Sequence, residues 1–392
     1  MIGAMTVATR PSRRRRCALA ARAWGGRAWA AGALAGSLLL AAAGSLAAGP
    51  HDGAPPTHHV DGGFTNRDPD VLPPSPADWL RWRWQAARAG LPRAPRKATP
   101  VVAPEIDFLA ANARAGAAMV PTATWIGHAT VLLQLGGLNV LTDPVFADSV
   151  GPLPLFGSRR AQPPALVPGR LPRIDLVLVS HDHHDHMDLP SLRALAAQPG
   201  GPPAAVVPLG LRPWLQDAGF DEVVELDWWQ SHRIGALEIV LTPTQHWSGR
   251  RLVDRMATLW GAFALFAPDA QVFFVGGSGY STDFVAARER FAERQADGGF
   301  DLALLPIGGH EPRWYHQAHE LSPEDAVRVH QDLRARHSVG VRWGTFELGD
   351  EALDDPPLAL AQARRKAGVG DNDFFLMAIG QTKRLPRRGA PQ

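Results

Sequence analysis

The chain has 392 residues, enough for one large domain or two modest ones, and a 45% hydrophobic fraction excludes wholesale disorder. Its formal net charge of +2 is unevenly spread: residues 1–47 hold seven arginines and no acid. With those removed, the 40 Lys and Arg fall to 33 against 38 Asp and Glu, a balance of −5 that argues against nucleic acid as the main partner.

Residues 1–47 read as a targeting segment. Arg13 to Arg16 form a basic start, Ala28 to Ala48 an apolar stretch, and Ser45-Leu46-Ala47 a small-x-small cleavage site. The arginine cluster loosely resembles a twin-arginine export signal, although Cys17-Ala18-Leu19 lacks the usual Phe. The expectation is export to the periplasm or envelope; the alternative is an uncleaved membrane anchor, since about twenty apolar residues span a bilayer. Cys17 is the only cysteine, so the chain beyond this segment has no disulfide, no cysteine metal ligand and no cysteine nucleophile.

Residues 49–75, rich in Pro, Gly, His and Asp, read as a linker in which His58 and His59 are solvated. Ser75-Pro76-Ala77-Asp78 predicts a helix start with Pro at the first position. Trp79, Trp82 and Trp84 then interleave with Arg81 and Arg83. Such a helix either grips a lipid surface or packs its indoles on the main domain, and the second is the expectation. Residues 48–118 thus form a linker and helical extension, and 119–385 the main domain.

From Ala123 the pattern turns to strands: Thr124–Ile126, Thr130–Leu133, Leu138–Thr142, Ile174–Ser180, Leu237–Pro243, Gln271–Val275, Leu302–Ile307 and His337–Val341. Helices are expected at Leu189–Ala197, Ser281–Gln295, Pro323–Ala335 and Pro357–Ala367. Strands followed by strand–helix alternation predict a layered α/β protein, and no internal repeat is visible.

The strongest chemical signal is the run His181-Asp182-His183-His184-Asp185-His186, directly after an apolar strand. Three imidazoles and a carboxylate within six residues can converge on one or two metal ions. Neutral imidazole and carboxylate oxygen are zinc's usual non-sulfur ligands. Alternate side chains of a segment leaving a strand point the same way. His181 and His183 can therefore chelate one ion, while Asp185 and His186 turn toward a neighbouring one.

This HxHxDH run resembles the metallo-β-lactamase superfamily. Within it, several phrases resemble the N-acylphosphatidylethanolamine-hydrolysing phospholipase D family: Thr124-Trp125-Ile126-Gly127-His128, Thr142-Asp143-Pro144, Gln245-His246-Trp247, Glu311-Pro312-Arg313-Trp314 and Trp343-Gly344-Thr345-Phe346. They occur in order from about residue 70 to 350. The resemblance implies a four-layer αβ/βα sandwich with metals at one edge. It implies His181, His183 and His246 at the first metal, and Asp185 and His186 at the second. It also implies hydrolysis of a phosphodiester by metal-activated water, a phospholipid substrate and contact with a membrane surface.

Three positions depart from the family pattern. Gly277, in Gly276-Gly277-Ser278-Gly279-Tyr280, stands where the family has a metal-bridging Asp. Arg342 stands where it has a final His, and Glu320 where it often has His. The first two losses fall on the second metal and together change the local charge by +2, the charge of the ion. One reading has Arg342 take the ion's place, pair with Asp185 and contact a substrate phosphate. Asp185 then serves as proton acceptor, and one zinc remains. The rival is a decayed site on a non-catalytic exported binding protein. A lactone or cyclic-phosphate hydrolase is the other enzymatic alternative. Arg313 and Trp314 are candidate pocket residues and His128 a candidate orienting donor. His310 is read as a satisfied core or surface histidine, and Ser278 lacks a triad context.

Overall fold

The apolar runs fold as strands buried on both faces, and they pair into two seven-stranded sheets. The computed structural model describes residues 57–152, 157–251, 253–295 and 298–388, so the expected targeting segment 1–47 lies outside the described residues. In chain order come β1 (His59–Val60), β2 (Gly63–Phe64), α1 (Pro76–Ala89), α2 (Ile106–Ala113), β3 (Thr122–Gly127), β4 (Thr130–Leu135), β5 (Leu138–Thr142), β6 (Ser149–Val150) and β7 (Ser158–Arg159). Next are β8 (Leu176–Leu178), α3 (Leu189–Ala196), β9 (Ala204–Pro208), α4 (Arg212–Asp217), β10 (Val223–Leu226), β11 (Ser231–Ile234), β12 (Leu237–Thr242), β13 (Ala262–Phe266) and β14 (Gln271–Phe274). The chain ends with α5 (Asp283–Arg290), β15 (Leu302–Pro306), α6 (Arg313–His316), α7 (Pro323–Asp332), β16 (Ser338–Val341), α8 (Asp355–Ala367), β17 (Phe374–Phe375) and β18 (Thr382–Arg384).

One sheet runs β10-β9-β8-β5-β4-β3-β18 and the other β11-β12-β13-β14-β15-β16-β17. β5, β8, β9 and β10 are mutually parallel, as are β14 to β17. The core fills the space between the sheets, where Trp125, Leu133 and Leu178 meet Leu241, Phe263 and Leu304. On the outer face of the first sheet, Leu109 of α2, Leu192 of α3 and Leu215 of α4 cover Ile126, Leu132 and Val177. Phe284 of α5, Val327 of α7 and Leu360 of α8 flank the second. This is the expected four-layer αβ/βα arrangement.

The expected Ser281–Gln295 helix is shorter. It ends at Phe291, whose ring packs on Phe266 and Phe300, and continues as a 3-10 turn, Ala292–Gln295. A capping box starts α1 as expected: Ser75 Oγ accepts from Asp78 N, and the Asp78 carboxylate accepts from Ser75 N. Of the three tryptophans of α1, only Trp82 packs inward. Its Nε1 donates to Asp350 at 2.8 Å, and its ring lies 4.7 Å from that of Tyr315. Trp79 and Trp84 remain 50% and 59% exposed.

The expected solvated linker is corrected. His58 is buried, its ring stacked 4.2 Å from Trp228, and His58 and His59 turn Nε2 to the two oxygens of Asp227 at 2.6 and 2.8 Å. The reason is that Asp227 is itself buried, and a buried carboxylate must be given donors. The described residues all belong to one compact unit, Pro50–Gln392, so the described extension is part of the same body as the main domain. Among the described residues no helix is long and apolar enough to cross a membrane.

The strand ends place the chemistry. Asp143 follows β5, His181 lies just past β8, His246 past β12, Gly277 past β14, Gly308 past β15 and Arg342 past β16. Both sheets therefore deliver their side chains to one edge.

Candidate metal centre

His181 Nε2, His183 Nδ1 and His246 Nε2 converge to within 3.1–3.3 Å of one another. The opposite ring nitrogens fix the tautomers. His246 Nδ1 lies 2.8 Å from the carbonyl oxygen of His319, which only accepts, so the proton is on Nδ1. Ser180 Oγ gives its proton to Asp143 Oδ2 at 2.6 Å and therefore accepts from His181 Nδ1 at 2.9 Å. The lone pairs of His181 Nε2 and His246 Nε2 thus face each other at 3.2 Å. Two lone pairs at that range repel unless a cation lies between them. Ligands about 2.0 Å from a shared tetrahedral ion stand about 3.3 Å apart, so the spacing fits one metal.

Burial holds all three imidazoles neutral, the ligand form. It keeps His181 and His246 well below the ordinary histidine value and lowers His183 to about 3. The backbone of His246 is framed by Asn66 of the extension, whose Nδ2 donates to His246 O at 2.9 Å and whose Oδ1 accepts from His246 N at 3.0 Å. The sequence gives no signal for Asn66, because nothing in a linker-like stretch marks one asparagine.

The second group of expected ligands is arranged differently. Asp185 Oδ2 meets His128 Nε2 at 3.0 Å, His186 Nε2 at 3.2 Å and an Arg342 terminal nitrogen at 3.3 Å. Burial opposes the charge of Asp185, but His186 and Arg342 outweigh it and hold the carboxyl well below its usual range. His186 Nδ1 donates to Asp143 Oδ2 at 2.6 Å, and its Nε2 lies 3.1 Å from Arg342 Nε. That atom is engaged in either protonation state, as an acceptor from Arg342 or a donor to Asp185. His128 thus contacts Asp185 through Nε2.

A family model described as the beta-lactamase superfamily domain matches residues 138–343, more than half of the chain. This chain belongs to the metallo-β-lactamase superfamily. It is a metal-dependent hydrolase. An uncharacterised protein of Mycobacterium tuberculosis is 37% identical over 308 residues, 76% of the hydrolase and 77% of the relative. N-acyl-phosphatidylethanolamine-hydrolyzing phospholipase D 1 of Caenorhabditis elegans is 37% identical over 238 residues, 58% of the hydrolase and 65% of the relative. The isothiocyanate hydrolase from Delia radicum gut bacteria shares the fold, with a TM-score of 0.54, 18% identity, and coverage of 68% of the hydrolase and 99% of that chain.

A cavity of about 680 Å³ opens beside the metal-binding edge of the hydrolase. Trp79, Trp82, Trp247 and Tyr315 form its walls, Arg251 and Arg255 also line it, and His183, Asp185 and Glu320 face it. The three residues expected to contact substrate, Arg313, Trp314 and Arg342, do not line it, and each has a structural reason. Arg313 is consumed by Asp325 at 2.7 Å and by the carbonyl of Glu320 at 3.0 Å. Trp314 turns outward under the Arg81 guanidinium, 4.6 Å from its ring, so the aromatic wall is Tyr315 instead. Arg342 lies behind Asp185 and Glu320, with its donors engaged by the protein, so it is not placed to grip a phosphate. His310 is buried with Nδ1 3.4 Å from Glu351, and Ser278 Oγ donates to Gly279 O.

Proposed function

We propose that this hydrolase cleaves a phosphodiester of a glycerophospholipid, of the N-acyl phosphatidylethanolamine type, at a single zinc held by His181, His183 and His246. The observation that carries the reading is an aromatic-walled cavity with arginines in its lining, reaching His183, whose ring nitrogen converges with those of His181 and His246. Acyl chains suit the walls, and a phosphodiester suits the arginines. The worm phospholipase supports the same substrate class. Zinc supplies a Lewis acid and brings the pKa of a bound water to about 7.

The chain's own groups do the rest. Asp143, through Ser180 and directly, orients His181 and His186. Asp185, ionised and facing the cavity, accepts a hydrogen bond from the attacking water and orients it. The indoles of Trp79 and Trp82 exclude solvent from the lipid chains. With residues 1–47 directing export, the site of action is the envelope, where the exposed Trp79 and Trp84 can meet a lipid surface.

The test is hydrolysis by the purified, zinc-loaded chain of N-acyl phosphatidylethanolamine, phosphatidylcholine, a lactone and a cyclic phosphate. Release of phosphatidate with an N-acylethanolamine is expected, and His183→Ala should abolish both the activity and stoichiometric zinc. Turnover of the lactone or cyclic phosphate alone would reject the phospholipid reading.

A further inference from the structure

Of the three departures from the phospholipase D pattern, Glu320 and Arg342 meet each other, and Gly277 lies against the first-site imidazoles. Arg342 is 7% exposed and leaves β16 in left-handed backbone, φ 59°. A non-glycine residue keeps that conformation only where its surroundings hold it. Its guanidinium is held by Gly308 O at 2.9 Å, Glu320 Oε2 at 2.8 Å and Asp185 Oδ2 at 3.3 Å, and its Nε lies 3.1 Å from His186 Nε2. One cation thus ties together the two residues expected at a second metal. A Cβ on residue 277 would lie 2.7 Å from His246 Nε2 and 3.0 Å from His181 Cε1. A side chain there would require these first-site imidazoles to shift.

We propose that the buried Glu320–Arg342 pair replaces a second metal ion: Glu320 is a positioning residue that aims the guanidinium, and the guanidinium, rather than an ion, fixes Asp185 and His186. The inference rests on the single-metal reading of His181, His183 and His246. It alters the simpler charge argument. Gly277 and Arg342 raise the local charge by +2, but Glu320 returns one negative charge, leaving +1 shared between two carboxylates. A dication beside Asp185 would also lie close to the guanidinium in a buried site, where like charges repel strongly. Arg342 therefore acts through Asp185 and Glu320, the two groups that face the cavity, and not by contact with substrate.

The experiment is metal analysis of the purified full chain dialysed against zinc, with cobalt(II) spectra and kinetics on bis(p-nitrophenyl) phosphate. The wild type should bind one zinc per chain; two would overturn the proposal. Glu320→Gln should keep that single ion and an unchanged cobalt spectrum. Its kcat should fall about 10- to 100-fold with KM within about twofold, since the guanidinium loses the carboxylate that aims it while first-site ligands stay. An unchanged kcat in that variant would overturn the positioning role. Gly277→Asp with Arg342→His alone should not raise the zinc content, because Glu320 would be left buried without its partner. Adding Glu320→His should raise it toward two, and a folded triple variant that still binds one ion counts against the proposal. Metal content involves no substrate. A chain that binds one zinc and hydrolyses no phosphodiester sinks the substrate reading and leaves this one standing.

Discussion

At the scale of single residues, the site is controlled from behind. Each of two metal-facing imidazoles has its tautomer set by the acceptor on its other nitrogen: a carbonyl for His246, and the Ser180–Asp143 relay for His181. Asn66 adds a bond on each side of the His246 backbone. Removing it leaves the imidazole chemically intact but loosens its placement, and such supporting partners commonly contribute about 10- to 100-fold in metal affinity. Asn66→Ala should therefore weaken zinc binding by about tenfold at unchanged stoichiometry, read by competition with a chromogenic chelator. Unchanged affinity would show that strand β12 alone places the ligand. The candidate ligands were legible in the sequence, because HxHxDH and His246 are local signatures. Asn66 and the Glu320–Arg342 pair were not, because their partners lie 180 and 22 residues away.

At the scale of elements, caps and apolar runs predicted most of what formed. The α1 start at Ser75 and the strands flanking the histidine run follow from local chemistry. The hairpin β1–β2 did not, because a Pro- and Gly-rich stretch reads as linker until a buried carboxylate is found beneath it. Asp227 accepts from His58, His59 and Trp228 N. Burial raises its pKa, but the hydrogen bond and charge of His58 outweigh it, so the folded value lies below the ordinary carboxylate value. A depressed carboxyl contributes stability above the unfolded value, about 3.9, and loses it as pH falls through the lower folded value. Asp227→Asn should lower the melting temperature at neutral pH, with a deficit that shrinks as pH drops below about 4. Thermal melts from pH 7 to 3 test this, and a deficit constant with pH would show that the clamp carries no charge. Proteolysis near His59 should speed up in the same variant, since the hairpin loses its anchor.

At the scale of the whole molecule, the described unit is one body in which an N-terminal helix walls the cavity of a metal edge built by two sheets. The basic, apolar residues 1–47 fall outside the described residues and are expected to direct export. N-terminal sequencing of protein recovered from the envelope should find a mature start near Ala48; a start at Met1 in cytoplasmic protein would refute export, and a full-length membrane form would favour the anchor. The sequence by itself determined the layered α/β class, the candidate first-site ligands and the existence of three departures, because strand runs, caps and metal signatures are written in neighbouring residues. It also supplied the family, through short phrases kept in order. Tertiary structure alone decided what the departures do. Only the folded chain brings Glu320 of one loop to Arg342 past β16, sets imidazoles from two other loops against Gly277, and turns Tyr315 rather than Trp314 to the cavity. The physical reason is that a guanidinium's role depends on which acceptors surround it, and those acceptors come from segments that sequence spacing does not relate.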